Sequence, residues 1–186
     1  DLIYLYLDII DHLDLNDTIL VGFSMGGWAA AEIAVINTQR FSKLVLVDSV
    51  GIKVGGRFDR DIADVFATQP DELIKAGWHD VSKAPDPKAM TDEELETFAA
   101  DRIAHGLYTW EPYMHNPKLP YRLHRIDIPT LLIWGESDEV VTPSYGEAFR
   151  NMIPGASMVV IPEAAHSPHV EQPEAFVKHF TEFASR

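Results

Sequence analysis

Short apolar runs alternate with amphipathic segments along the 186-residue chain. Four of these runs predict strands that are covered on both faces, because their apolar residues follow one another almost without polar interruption. They are residues 19–21, 43–48, 130–134 and 157–161. Strands of this kind that alternate with helices are typical of an α/β fold, in which helices flank both faces of a mostly parallel sheet.

Helical spacing marks the segments around these strands. The predicted helices cover residues 2–13, 28–36, 142–153 and a last segment that begins near Pro173. The first helix should bury one apolar stripe, which consists of Leu2, Tyr6, Ile9, Ile10 and Leu13. Thr142 and Pro143 are typical of a helix N-terminus. The last helix should bury Phe176, Val177, Phe180 and Phe183.

A long interruption, residues 51–127, separates the second strand from the third. Thr91-Asp92-Glu93-Glu94 is a capping box that opens a helix ending near Gly106. Residues 59–67 and 71–76 are shorter helical candidates. An insertion this long at one sheet edge favours a cap over a site. We therefore predict a core formed by residues 1–50 and 128–186, with residues 51–127 as a helical cap.

Composition narrows the classes of function. The chain has 15 basic and 29 acidic side chains and a net charge of −14. Such a charge repels phosphate backbones and anionic lipids, so we expect neither nucleic-acid nor membrane binding. No apolar run approaches the roughly 20 residues of a membrane span. The chain has no cysteine, which excludes disulfides and thiolate metal sites and fits a reducing compartment; we expect a cytoplasmic protein.

Gly22-Phe23-Ser24-Met25-Gly26 is a G-x-S-x-G motif between a predicted strand and a predicted helix, which is the context this motif requires. A tight turn there would hold the Ser24 hydroxyl above the sheet, with Gly22 and Gly26 giving room for the chain. The Met25 backbone N–H, with Gly26 beside it at the helix N-terminus, could donate to an oxyanion. The alternative interpretation is a strand–helix turn that has no catalytic role.

A serine nucleophile needs a base, and the base needs an orienting acid. Asp138 follows the third predicted strand and His166 follows the fourth, so the carboxyl ends of parallel strands would bring both to Ser24. Asp48, which ends the second strand, is the alternative acid. His169 is the nearest alternative base, and we expect it at the surface or the rim. No cluster of Asp, Glu and His has convincing metal spacing.

With these residues, the sequence resembles the α/β-hydrolase superfamily over nearly the whole chain. Ser24, Asp138 and His166 fall on the positions of the family's catalytic triad. A serine at the elbow, where haloalkane dehalogenases have an aspartate, implies acyl-enzyme chemistry or hydrolysis of a carbon–carbon bond. Glu171-Gln172-Pro173 and the short cap are similar to the esterase and meta-cleavage-product hydrolase branch. The resemblance implies no cofactor and no metal.

The aromatic and methionine residues of the insertion suggest a small, apolar or aromatic, ester-like substrate, with Trp110 as a candidate contact. At helical spacing such residues can equally form the cap's own core. A non-catalytic ligand-binding pseudoenzyme is the alternative function, because this fold also serves as a receptor for small molecules.

The resemblance also implies strands that precede the motif in the family and have no counterpart here, including the loop that donates the second oxyanion N–H. We therefore expect a fragment, with weak or no activity, such as an inactive truncated hydrolase. The strand at residues 18–23 would then have an unpaired edge, which promotes association. We predict a homodimer through this edge, with exchange of the first helix between two copies as the alternative.

Overall fold

The computed structural model of the protein describes residues 1–56 and 58–186. Its sheet has four parallel strands in the order β1-β2-β3-β4. The strands are β1 (Thr18–Phe23), β2 (Phe41–Val47), β3 (Thr130–Gly135) and β4 (Ser157–Ile161). The predicted α/β class and its parallel strands are confirmed, with strand ends shifted by at most two residues.

Seven α-helices surround the sheet in the described part of the chain. They are α1 (Leu2–His12), α2 (Met25–Ile36), α3 (Pro70–Gly77), α4 (Asp92–Thr109), α5 (Pro143–Met152), α6 (Pro168–Glu171) and α7 (Pro173–Ala184). Short 3-10 turns cover residues 81–83, 87–89 and 123–125. The one-turn helix α6 is absent from the sequence prediction, and α2 begins at Met25 rather than Trp28.

The side-chain alternation of β2 divides the core between the two faces of the sheet. Leu44 and Leu46 pack in a cluster that includes residues of α2 and α5. Val45 and Val47 point to the other face, in a cluster that includes the phenylalanines of α7. Because both faces are covered, β2 can be apolar from residue 44 to residue 47, and β3 from residue 131 to residue 134.

Two predicted apolar stripes differ from the observed ones. Helix α1 packs through Ile3, Leu7 and Ile10 against Ile33 and Phe41. Several members of the predicted stripe are exposed instead, namely Tyr6, Ile9 and Leu13. In α7 the prediction for Val177 is wrong, because this side chain is 55% exposed. Spacing identifies both helices, but it does not show which of several adjacent apolar residues are buried.

The insertion between β2 and β3 contains α3 and α4. The Thr91 capping box is confirmed, with the Glu94 N–H donating to Thr91 Oγ1 and Glu94 Oε2 accepting from the Thr91 N–H. The predicted helix at residues 59–67 is wrong. The Asp64 carboxylate accepts the Ala67 N–H, and the Tyr113 hydroxyl bonds the backbone at residues 63 and 65. These side chains take the backbone groups that a helix would pair.

Strand β1 lies at one end of the sheet and, among the described residues, pairs only with β2. Its other edge therefore presents N–H and C=O groups that no described strand covers. No helix in the described ranges 1–56 and 58–186 is long and apolar enough to cross a bilayer.

Candidate active site

Ser24 lies at the sharp turn between β1 and α2. Its φ of +47° is in the left-handed region, which costs free energy for a residue with a Cβ. Neighbouring backbone holds the turn, since the Ser24 N–H donates to Val47 O at 2.8 Å and the Val50 N–H donates to Ser24 O at 3.3 Å. The strained turn thus fixes the hydroxyl at the carboxyl end of the sheet.

The glycines around Ser24 have unequal roles. A Cβ on Gly22 would lie 2.3 Å from Gly26 O, and one on Gly27 would lie 2.4 Å from Ser49 Oγ. A Cβ on Gly26 would meet no atom within 4 Å. The expectation that Gly22 and Gly26 give the turn its room is therefore right for Gly22 and wrong for Gly26. Gly27 has this role instead, because α2 crosses close to Ser49.

The structure brings Ser24, His166 and Asp138 into one hydrogen-bonded line. Ser24 Oγ lies 2.9 Å from His166 Nε2, and His166 Nδ1 lies 2.8 Å from Asp138 Oδ2. With the proton on Nδ1, the ring donates to the carboxylate and leaves Nε2 free to accept the serine proton. The arrangement can therefore deprotonate the Ser24 hydroxyl.

Backbone groups orient the Asp138 carboxylate. Its Oδ1 accepts the Val140 and Val141 N–H groups at 2.8 and 2.9 Å, which leaves Oδ2 directed at His166. Asp138 is 2% exposed. The neighbouring carboxylates of Glu136 and Glu139 are exposed.

Helix α3 joins the loops that carry the acid and the base. At its C-terminus the carbonyl of Ala76 accepts the Glu139 N–H at 3.0 Å, and that of Gly77 accepts the His166 N–H at 3.1 Å. The insertion thus helps to position Asp138 and His166 by direct backbone hydrogen bonds.

Opposing effects act on the imidazole. Burial lowers the pKa of His166, but the charge and hydrogen bond of Asp138, with a smaller effect from Asp48, outweigh it, so the pKa lies above the ordinary histidine value. The second acidic residue, Asp48, is 1% exposed and accepts the Gly135 N–H at 2.9 Å. Burial raises its pKa well above the usual range. It does not contact His166 in place of Asp138.

The first two N–H groups of α2 are available near Ser24. Those of Met25 and Gly26 have no backbone or side-chain acceptor among the described residues. Helix N-termini leave such donors free and carry partial positive charge. They can therefore hold a negative oxygen.

A cavity of about 390 Å³ opens at Ser24 and His166. Apolar side chains dominate its wall: Phe23, Val50, Ile62, Val65, Leu73, Met114 and Val140. His169 lines the rim, exposed and with its ring 4.6 Å from that of Phe23, as expected. The expectation for Trp110 is not supported by its position. It is 63% exposed and lines a separate cavity of about 430 Å³.

Besides apolar residues, the insertion contributes Trp78 and His105 to the wall, and the sequence did not assign either of them to the site. His105 Nε2 is buried and has no partner among the described residues. Burial, with smaller effects from Arg102 and His166, lowers the pKa of His105. A lone histidine in a helix gives no sequence signal for a site. Only the packing of α4, which puts the His105 ring beside Phe66, shows that His105 lines the cavity. Across residues 1–56 and 58–186 no group of three His, Asp or Glu could hold a metal ion.

Comparison with known sequences shows extended similarity. A model of the alpha/beta hydrolase family matches residues 2–179. The chain is 31% identical over 189 residues to a Bacillus subtilis protein provisionally named 2-succinyl-6-hydroxy-2,4-cyclohexadiene-1-carboxylate synthase, covering 95% of this chain and 69% of that protein. It is 36% identical over 177 residues to a pimeloyl-[acyl-carrier protein] methyl ester esterase of Neisseria meningitidis, covering 88% and 67%.

More distant relatives extend the range of named activities. A 2-hydroxy-6-oxononadienedioate/2-hydroxy-6-oxononatrienedioate hydrolase of Cupriavidus pinatubonensis is 28% identical over 196 residues, covering 94% of this chain and 64% of that protein. A hydrolase from Pseudomonas aeruginosa PA01 aligns with a TM-score of 0.72 at 27% identity, covering 99% and 71%. A meta-cleavage product hydrolase from Pseudomonas fluorescens IP01 shares the fold, with a TM-score of 0.73 at 20% identity, covering 97% and 69%.

Proposed function

The chain belongs to the α/β hydrolase family, and on this premise we propose that it is a serine hydrolase that cleaves esters through Ser24, His166 and Asp138. The observation that carries this proposal is the continuous pair of hydrogen bonds from Ser24 Oγ through the imidazole to Asp138 Oδ2. A serine hydrolase needs these two hydrogen bonds because a serine hydroxyl is a poor nucleophile until a base takes its proton.

In the proposed reaction Ser24 Oγ attacks the substrate carbonyl while His166 Nε2 takes the hydroxyl proton. Asp138 holds the imidazole in the required tautomer and stabilises its positive charge. The carbonyl oxygen becomes an anion, which accepts a hydrogen bond from the Met25 N–H, with the Gly26 N–H next to it. His166 then returns the proton to the leaving alcohol, and a water molecule hydrolyses the acyl-serine by the same route.

The cavity wall supports a small substrate with an apolar acyl or aromatic group. Its surface beside Ser24 is mainly aliphatic and aromatic, and its volume of about 390 Å³ fits a small molecule. The named activities of the relatives include a methyl ester esterase and an oxo-dienedioate hydrolase. Ester cleavage is the first candidate bond, and the carbon–carbon bond of a diketone-type substrate is the second.

A fluorophosphonate probe tests the nucleophile. We expect it to label the wild-type protein and to leave Ser24→Ala unlabelled. Ser137→Ala is the matched control. Ser137 is next to Asp138 in sequence, but its Oγ contacts His79 Nδ1 and it does not line the cavity, so this substitution should not affect labelling. Folded wild-type protein that does not react, or a Ser24→Ala variant that is still labelled, would overturn the proposal.

Turnover separates an enzyme from a reactive pseudoenzyme. We expect p-nitrophenyl butyrate to be hydrolysed by the wild type in multiple turnovers and by Ser24→Ala at no more than the uncatalysed rate. Labelling without any turnover of p-nitrophenyl acetate or butyrate would support the non-catalytic ligand-binding alternative instead.

A further inference from the structure

Asp48 lies directly behind the triad acid. It follows β2, its backbone N–H donates to Ile133 O at 3.1 Å, and its φ is +42°. The side chain is 1% exposed, and its Oδ1 accepts the Gly135 N–H, while the carbonyl of the same Gly135 accepts the Asp138 N–H at 3.3 Å. Two buried carboxyl groups therefore lie close together, and their charges act on one another.

The hydrogen-bond donors around these two carboxyl groups are unequal. Asp138 receives the N–H groups of Val140 and Val141 and the ring of His166. Within the described residues, Asp48 receives only the Gly135 N–H, on Oδ1. Its Oδ2 is sealed from solvent, and no donor among the described residues reaches it. Two adjacent buried carboxylates repel each other, so one of the two carboxyl groups should hold a proton. The group with fewer hydrogen-bond donors is the one that holds it.

Building on the proposed hydrolase, we propose that Asp48 is a neutral carboxylic acid that donates its O–H to the Asp138 carboxylate and so acts as a positioning residue for the triad. This assignment gives the orphaned oxygen a partner and gives Asp138 a fourth hydrogen bond. The line of hydrogen bonds then runs from Asp48 through Asp138 and His166 to Ser24.

The charges near Asp48 agree with this assignment. Burial is the main cause that raises the pKa of Asp48, the charge of Asp138 raises it further, and the charge of a protonated His166 opposes both. Asp138 and His166 are the charged or titratable groups that act on it.

A donated hydrogen bond also sets the basicity of the triad. It withdraws charge from Asp138, so the imidazolium of His166 is less stabilised than beside a carboxylate without this donor. Asp48→Asn keeps a neutral donor of the same shape, because its amide NH₂ can donate to Asp138 while its oxygen accepts from Gly135. Asp48→Ala removes the donor.

Hydrolysis of p-nitrophenyl butyrate against pH separates these roles. We expect Asp48→Asn to keep kcat/KM within about threefold, with its acidic limb in place. We expect Asp48→Ala to lose about tenfold in kcat, the effect of one hydrogen bond to a charged group, and to move that limb to higher pH. Glu136→Gln, which neutralises an exposed carboxylate of the acid loop, controls for loss of charge.

Two kinetic results would overturn the proposal. An acidic limb that moves to lower pH in Asp48→Asn would show that Asp48 is an anion supporting the His166 cation. A limb that does not move in folded Asp48→Ala would show that Asp48 does not act through Asp138. If Asp48→Ala does not fold, the Asp48→Asn profile and the next measurement decide.

Thermal unfolding tests whether Asp48 is protonated, and it needs no measurement of enzyme activity. Between the ordinary aspartate pKa and the raised value, the folded chain holds the Asp48 proton while the unfolded chain has lost it, so wild-type stability falls with rising pH. Asp48→Asn lacks this dependence. We expect its Tm relative to wild type to rise from about pH 4 to about pH 7. A constant difference would overturn the neutral assignment even if esterase activity is present, and a rising one would support it even if the chain proves not to hydrolyse esters.

Discussion

The Ala165 backbone N–H donates to Glu171 Oε2 at 2.7 Å, one residue before His166. The other oxygen of Glu171 accepts the Asp80 N–H at 2.9 Å, so one carboxylate joins the histidine loop to the insertion. Glu171 is 2% exposed, so water is a poor substitute for its carboxylate as the acceptor of the Ala165 N–H. The position of the base therefore depends on a side chain that does not contact it.

We expect Glu171→Ala to lower the free energy of unfolding by about 2–4 kcal/mol, because it leaves the buried Ala165 N–H without its acceptor and removes the bond that joins the histidine loop to Asp80. It should also lower kcat/KM for p-nitrophenyl butyrate by about tenfold through a less ordered His166 loop. Urea unfolding followed by circular dichroism measures the first effect. Glu174→Ala, an exposed carboxylate of α7, is the control and should remain within about 0.5 kcal/mol of wild type. Equal stability of the two variants would contradict the bridging role.

The glycines of the elbow give a second prediction. Gly22→Ala should destabilise the chain by more than about 3 kcal/mol or prevent folding, because its Cβ would overlap the Gly26 carbonyl at 2.3 Å. Gly26→Ala has open space and lies in the first turn of α2, so it should be neutral or up to about 1 kcal/mol more stable. Unfolding of the two variants under identical conditions tests the difference. A Gly26→Ala variant as unstable as Gly22→Ala would contradict it.

The sequence could predict those features that depend on local patterns and on chain order. The strands and the positions of Ser24, Asp138 and His166 depend on local patterns and chain order, because each triad candidate directly follows a strand. Parallel strands bring such positions to one end of the sheet. The order alone thus places residues 24, 138 and 166 close together.

Features that depend on tertiary contacts were beyond the sequence. The excluded Cβ at Gly27 depends on the approach of Ser49, and the non-helical backbone near Asp64 depends on the distant Tyr113 hydroxyl. The position of Trp110 on the second cavity likewise depends on how α4 packs. None of these contacts has a signature in residue spacing.

The free edge of β1 leads to a prediction about assembly. Among the described residues β1 pairs on one side only, and α1 exposes Tyr4, Leu5 and Leu13. We propose that a second copy covers this edge at residues 18–23, since an apolar edge strand favours such pairing. Light scattering should give a mass of twice 20.9 kDa at micromolar concentration, with slowed amide exchange in β1. A stable monomer with fast exchange there would contradict the proposal.

Because Asp138 orients the base, neutralising it should affect turnover far more than neutralising a neighbouring carboxylate. Asp138→Asn should lower kcat by about 10³–10⁴-fold, because an amide that donates to His166 favours the wrong imidazole tautomer. Glu139→Gln, one residue away and exposed, should keep wild-type kinetics. Steady-state hydrolysis of p-nitrophenyl butyrate measures both. Near-normal turnover by Asp138→Asn would show that another group orients the base.

The raised pKa of His166 predicts the direction of the pH profile. The base works only when Nε2 carries no proton, so activity should rise with pH as His166 loses its proton. Asp138 holds that proton against the effect of burial, so the midpoint of the acidic limb of kcat/KM should lie above the ordinary histidine pKa of about 6.5. Initial rates at low substrate concentration, measured from about pH 5 to about pH 9, define this limb. A midpoint below the ordinary histidine value would mean that burial outweighs Asp138, and the triad's electrostatics would have to be reassigned.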